Sequence, residues 1–174
     1  MSVGIRFQVL PEELEVRVKT ALKALVDGKI TDIQVAMFFF KYFFQRLEPM
    51  YRDNQSAANT IQEAVKNQFV GLIVPNLVEV TLYINTIDDM EFTKGVAFKT
   101  PILDFKNLQV VEDVVLARIT LAETLMNKKV KVRKIAKILR WLAPIATIQT
   151  EEMLQKVREE DISILDRLVR ELGY

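Results

Sequence analysis

The sequence predicts an α+β fold in which about six helices pack against a small antiparallel sheet of three to four short strands. Apolar residues recur at helical spacing through most of the 174 positions. They alternate with polar residues in only a few places, chiefly 3–9 and 78–85. Alternation with a period of two is typical of a half-buried strand, so these segments are predicted to form the sheet.

Length and composition are those of one packed domain. Chains of roughly 100–200 residues usually form a single domain, and half of these residues are hydrophobic. We find no repeat, low-complexity stretch or long linker in the sequence. We therefore expect one domain over 1–174, made of an N-terminal strand and helices (1–74), a β-hairpin region (77–100) and a C-terminal helical region (108–173).

The first part of the chain is predicted to contain a strand followed by three helices. The strand covers 3–9, and Pro11 opens a first helix that ends near Gly28. Thr31 and Gln34 then have the spacing of a capping box for a second helix, which should run to about Tyr51. Apolar residues at helical spacing predict a third helix that ends before the Pro75-Asn76 pair: Ala58, Ile61, Val65, Phe69 and Ile73.

The second part begins with strand signals and continues as helix. The strand at 78–85 is followed by a turn at Asp88-Asp89, and Gly95 indicates a further hairpin turn. Helical spacing then resumes to the end of the chain. The predicted helices cover 108–126 and 130–142, then one capped by Thr150 and a final one that starts near Asp161.

Two missing residue types narrow the possible functions. The chain has no cysteine, which excludes disulfides, thiol nucleophiles and cysteine-ligated metal sites. It also has no histidine, which excludes Ser-His-Asp catalysis and histidine-ligated zinc. With no phosphate-binding glycine motif either, we expect a protein that is not an enzyme and has no cofactor.

No targeting or membrane-spanning segment is predicted. The first ten residues lack the long apolar core of a signal peptide. The longest apolar stretches, 35–44 and 69–84, are both interrupted by charged or helix-breaking residues. The expectation is a soluble intracellular, cytoplasmic protein.

The second predicted helix is apolar around most of its circumference. Such a helix is normally buried on several sides, which favours a central core position. The alternative is that a second subunit buries one of its faces. In that case the oligomer interface consists of Val35, Phe38, Phe39 and Tyr42.

The strongest charge signal lies in 128–140, which holds seven basic residues and no acidic one. As an amphipathic helix, this segment is typical of contact with nucleic acid, an acidic protein or an anionic membrane. It can also pair with the acidic C-terminal segment, 150–174, or simply face solvent. The candidate nucleic-acid or anion-binding residues are Lys128, Lys129, Lys131, Arg133, Lys134, Lys137 and Arg140.

A small acidic group is a third candidate site. Asp88, Asp89 and Glu91, with Asp104 as a further candidate, supply the oxygen ligands that Mg²⁺ and Ca²⁺ prefer. Their order matches no EF-hand loop, and turn formation explains Asp88-Asp89 equally well. The sequence therefore predicts no metal site.

The functional prediction is a non-enzymatic binding or assembly subunit that self-associates or joins a larger complex. The alternative is a nucleic-acid-binding protein, DNA or RNA, that uses the basic segment 128–140. A carboxylate–metal enzyme is the least favoured of the three.

Overall fold

The computed structural model describes residues 9–174, apart from the side chains of residues 121 and 122, and confirms a helix-dominated α+β fold. The strand predicted at 3–9 lies outside the described residues except for its last position. The helices are α1 (Glu12–Val26), α2 (Asp32–Gln45), α3 (Glu48–Tyr51), α4 (Gln55–Val65), α5 (Leu108–Val115), α6 (Leu121–Met126), α7 (Ile135–Thr147) and α8 (Glu151–Glu171). The strands are β1 (Gln68–Val74), β2 (Val78–Thr86), β3 (Asp89–Lys94), β4 (Ile102–Phe105) and β5 (Val130–Arg133).

The described strands form one sheet in the order β3-β2-β1-β4-β5. Neighbouring strands are antiparallel except for β1 and β4, which are parallel. The sheet is therefore slightly larger than predicted, and it is not purely antiparallel. Two of its strands, β1 and β5, lie in segments where the sequence predicted helix.

Strand β1 replaces the end of the predicted third helix. The helix stops at Val65, and Asn67 takes a left-handed conformation with φ of 58°. Phe69 and Ile73 happen to continue the helical spacing. However, the short apolar run from Phe69 to Val74 also suits a buried strand, and spacing alone cannot separate the two. Pairing with β2 and β4 on either side decides in favour of the strand.

Strand β5 replaces the start of the predicted basic helix. Val130 is buried and Val132 half-buried, while Lys131 and Arg133 point outward, a period of two. Lys134 then takes a left-handed conformation with φ of 55°, and α7 begins at the next residue. The prediction of one helix over 130–142 is wrong because backbone pairing with β4 holds Val130–Arg133 as a strand.

Several boundaries differ for local reasons. The second predicted helix breaks before Pro49, whose ring cannot continue the helical hydrogen bonds. The helix predicted over 108–126 is interrupted, since Ala117 has φ of 56°. The helix expected to begin near Asp161 is instead the second half of the continuous α8. The hairpin turn lies at Asp88, and Gly95 follows the end of β3.

The inner face of the sheet carries the hydrophobic core. Its alternating residues are buried, and α2 packs across them. Phe39 meets Phe105 of β4 edge-to-face at 5.5 Å between ring centroids, and Phe40 lies 6.4 Å from Phe92 of β3. Helix α2, which supplies Phe39 and Phe40, therefore lies at the centre of the hydrophobic core.

The connection from β3 to β4 crosses the outer face of the sheet. Thr81 Oγ1 donates to the Gly95 carbonyl at 2.7 Å, and the Gly71 amide donates to the Pro101 carbonyl at 2.8 Å. Between these two bonds, Val96 lies directly over Gly71 of β1. A Cβ at position 71 would sit 2.8 Å from Val96 Cγ1. Glycine is therefore required at this position by close packing.

We expect Gly71→Ala to lower the free energy of unfolding by about 1–3 kcal/mol, because the added methyl overpacks this contact. The loss should be smaller when Val96→Ala is also present, since that change removes the clashing methyl groups. Urea denaturation of the two single variants and the double variant measures the coupling. Equal losses with and without Val96 would contradict this packing.

Candidate functional site

The seven basic residues of 128–140 lie on a strand–turn–helix unit at the edge of the sheet. Lys128 and Lys129 precede β5, Lys131 and Arg133 lie on it, and Lys134 joins it to α7. The remaining two, Lys137 and Arg140, project from α7 and are exposed. The structure thus keeps these residues together in one unit but distributes them over two elements.

Among the residues that the structure describes, most of these cations have no acidic partner. Arg133 pairs with Asp104 of β4 at 3.2 Å. Within the described residues, the other six have no carboxylate oxygen within 4.0 Å. Lys134 instead places its ammonium 5.7 Å from the centroid of the Phe98 ring, a cation–π contact.

The acidic residues of α8 pair elsewhere. Glu160 contacts Arg52 at 3.0 Å, and Asp161 contacts Arg46 at 2.8 Å. Glu151 contacts Arg158 within the same helix. Among the described residues, no carboxylate of 150–174 lies within 4.0 Å of the basic residues of 128–140. The interpretation in which the acidic C-terminal segment pairs with the basic one is therefore wrong.

The first turn of α7 adds further positive potential. Its N-cap is the left-handed Lys134, which supplies no side-chain acceptor, and the turn contains no acidic residue. By contrast, Thr31 caps α2 and Thr150 caps α8 through their hydroxyls, as the sequence predicted. The free N–H groups of a helix start carry partial positive charge, which here has the same sign as the lysines around it.

Large apolar side chains lie exposed among these cations. Phe98 is 94% exposed on the β3–β4 connection. On α7, Ile135 is 47% and Leu139 50% exposed, and they are one helical turn apart. The basic–apolar surface is defined here as Phe98, Lys128, Lys129, Lys131, Lys134, Ile135, Lys137, Leu139 and Arg140.

The predicted oligomer interface is buried inside the chain. Val35, Phe38, Phe39 and Tyr42 all belong to the core between α2 and its neighbours. In this fold they leave no exposed face for a second subunit, so the prediction of an oligomer interface at these residues is wrong. The reason is that the sheet and α8 cover both sides of α2.

A buried polar cluster that the sequence did not predict fixes α2 to α8. The Tyr42 hydroxyl donates to Asp161 Oδ2 at 2.6 Å, and Arg46 Nε lies 2.8 Å from Asp161 Oδ1. Asp161 is fully buried. The available signal was its position in the apolar stripe of α8, between Val157 and Leu165 at steps of four.

Burial governs the protonation of this cluster. It raises the pKa of Asp161 above its ordinary value, and the nearby Arg46 offsets only part of that rise. Burial also raises the pKa of Tyr42 well above its usual range, so its hydroxyl stays protonated and can donate. The cluster therefore has the character of a structural tie between two helices.

The acidic candidates do not form one cluster. Asp88 and Asp89 line a cavity of about 450 Å³ beside α2, together with Lys41 and Tyr51. Burial and the charge of Asp88 raise the pKa of Tyr51 to about 12. Asp104 lies on β4, which two other strands separate from β3, and it pairs with Arg133. Among the described residues, no three acidic side chains are grouped to hold a metal ion.

Comparisons with known protein families and with curated proteins find no match. Among solved structures, the apo form of sterol carrier protein 2 from Yarrowia lipolytica is similar with a TM-score of 0.32 and 17% sequence identity. The match covers 67% of this chain and 89% of that chain. A likeness this low carries no argument about fold or function.

None of the described helices combines the length and apolar character needed to cross a bilayer.

The raised pKa of Asp161 predicts how stability depends on pH. The folded state binds this proton more tightly than the unfolded chain, whose carboxyl has a pKa of about 3.9. The contribution of Asp161 to stability is therefore full below that value, and it declines as pH rises through the higher folded pKa.

We expect the free energy of unfolding of the natural protein, minus that of Asp161→Asn, to shrink between about pH 4 and neutrality. Urea titrations of both proteins across this range measure the difference, and the variant cancels the effect of every other carboxyl. A difference that grows with pH would show that the contacts with Arg46 and Tyr42 lower the pKa of Asp161 by more than burial raises it.

Proposed function

We propose that this protein is a non-enzymatic binding protein that holds a phosphate-rich partner on the basic–apolar surface. The observation that carries the proposal is a set of six cations that have no carboxylate partner in the part of the chain that the structure describes. They lie within 13 positions of the sequence, around the uncapped start of α7. Phosphate groups supply the missing negative charge and accept hydrogen bonds from lysine, arginine and free backbone N–H groups.

The energetics favour a partner with many negative charges. Like charges this close repel one another, and in the free protein only solvent and counterions offset that repulsion. A polyanion that contacts several of them also gains from the release of its own condensed counterions. Affinity should therefore depend steeply on salt concentration, which distinguishes this surface from a neutral binding face.

The position of β5 favours contact through side chains. Among the described strands, β5 lies at the edge of the sheet. It has four residues, and Lys131 and Arg133 lie on its outward face. Short, charged edges of this kind oppose pairing with another strand. The partner is thus expected to meet the side chains of β5 and α7, with no extension of the sheet.

The other predicted functions have weaker support. The prediction of self-association was based on the apolar side chains of α2, which are buried within the chain. The carboxylate–metal enzyme was based on Asp88, Asp89 and Glu91, and no three acidic side chains among the described residues are grouped to hold a metal ion.

We expect Lys134→Glu with Lys137→Glu to weaken binding of inorganic polyphosphate by at least about tenfold at low salt. The slope of log affinity against log salt should also become shallower, because fewer phosphates are contacted. Fluorescence anisotropy with labelled polyphosphate measures both quantities. Polyphosphate contains neither bases nor acyl chains, so it tests the phosphate chemistry alone.

Lys23→Glu with Lys29→Glu is the matched control. It changes the net charge equally, at exposed positions on and just after α1, which packs against α2, α5 and α8. This control should bind polyphosphate nearly as the natural protein does. The proposal fails if the natural protein does not bind at low salt, or if both pairs reduce binding equally.

A further inference from the structure

We infer that the phosphate-rich partner is the surface of an anionic lipid bilayer, on which α7 lies flat with Phe98, Ile135 and Leu139 entering the acyl region. This inference rests on the proposed function, because it uses the same cations. It adds a role for the apolar side chains, which phosphate binding leaves unexplained.

The first argument is the exposure of Phe98. A phenylalanine that is 94% exposed keeps almost its whole ring in water. Moving such a ring into an apolar phase is worth roughly tenfold to a hundredfold in affinity. Lys134 lies against the same ring, so a cation accompanies the inserted group and can reach a lipid headgroup.

The second argument is the arrangement of α7. Successive residues turn by about 100°, so Ile135 and Leu139 fall on one side of the exposed surface and Lys137 and Arg140 on the other. Ile138, Trp141 and Ile145 hold the opposite side of the helix in the core. A helix fixed in this way can meet a bilayer only along its length, which is the orientation of an interfacial amphipathic helix.

The third argument separates lipid from nucleic acid. A base can stack on the Phe98 ring, but the branched aliphatic side chains of Ile135 and Leu139 offer no planar stacking surface. A lipid surface accommodates all three apolar side chains together with the cations beside them. Each lysine near an anionic bilayer strengthens binding by about fivefold, so the two kinds of contact reinforce each other.

The test is sedimentation with vesicles of phosphatidylglycerol and phosphatidylcholine, or of phosphatidylcholine alone. We expect binding to the mixed vesicles at low salt and little binding to the neutral ones. Phe98→Ser with Leu139→Ser should reduce vesicle binding by about tenfold or more while leaving polyphosphate affinity nearly unchanged. Lys134→Gln with Lys137→Gln should reduce both. The change Val26→Ser on α1, at another exposed apolar position, should affect neither.

Fluorescence of Phe98→Trp reports insertion directly. Its emission should shift to shorter wavelength on mixed vesicles and be quenched by lipids with brominated acyl chains. The natural Trp141 is buried and gives a constant background. A single-stranded DNA oligonucleotide, added in place of vesicles, tests the other phosphate source.

The outcomes separate the two proposals. Polyphosphate or DNA binding without vesicle binding overturns the lipid inference and leaves the proposed function standing. Vesicle binding that is unaffected by the Phe98 and Leu139 changes, with no emission shift, also overturns the inference, because contact would then be electrostatic only. Failure to bind polyphosphate, DNA or vesicles overturns both. All substituted side chains are exposed or half-exposed, so thermal unfolding is a sufficient check of folding.

Discussion

The packing of α2 between the sheet and α8 is the constraint on which the rest of the structure depends. One side of α2 places aromatic rings against β3 and β4, including the edge-to-face pair of Phe39 and Phe105. Another side presents Tyr42 and Arg46 to the buried Asp161 of α8. Hydrophobic packing is not directional, whereas the contacts of the Asp161 carboxylate with Tyr42 and Arg46 are directional. Asp161 therefore fixes the register of two helices that apolar contact alone would leave free to slide.

This arrangement also decides where partners can bind. The inner face of the sheet is filled by its own buried residues and by α2, and the β3–β4 connection crosses part of the outer face through the contact between Val96 and Gly71. Among the described strands, β5 lies at an edge of the sheet. It carries cations that the acidic residues of α8 do not neutralise, because those residues pair with Arg46, Arg52 and other cations. An unpaired basic edge is thus a consequence of how the core uses its charges.

The same edge explains why charge and apolar exposure occur together. α7 must bury Ile138, Trp141 and Ile145 to hold its place, and this leaves Ile135 and Leu139 half exposed beside Lys137 and Arg140. Phe98 lies nearby because β4 pairs with β5, which brings the end of the β3–β4 connection beside Lys134. Residues separated by more than 30 positions in the chain therefore form one surface, and no local pattern in the sequence reports that.

The sequence by itself determined the features that arise from local physics. The capping box of Thr31, the cap at Thr150, the strand at β2 and the helix-dominated class follow from side-chain hydrogen bonding and from the periods of two and 3.6. Only the tertiary structure decided that β1 and β5 are strands. Short apolar or alternating runs fit a helix or a strand until a neighbouring strand supplies hydrogen bonds. The tertiary structure also decided that α2 is core, that Asp161 is buried and that, among the described residues, six of the seven basic residues of 128–140 have no acidic partner. Each of these features depends on which side chains a distant segment of the chain brings into contact, and the spacing of residues in the sequence carries no such information.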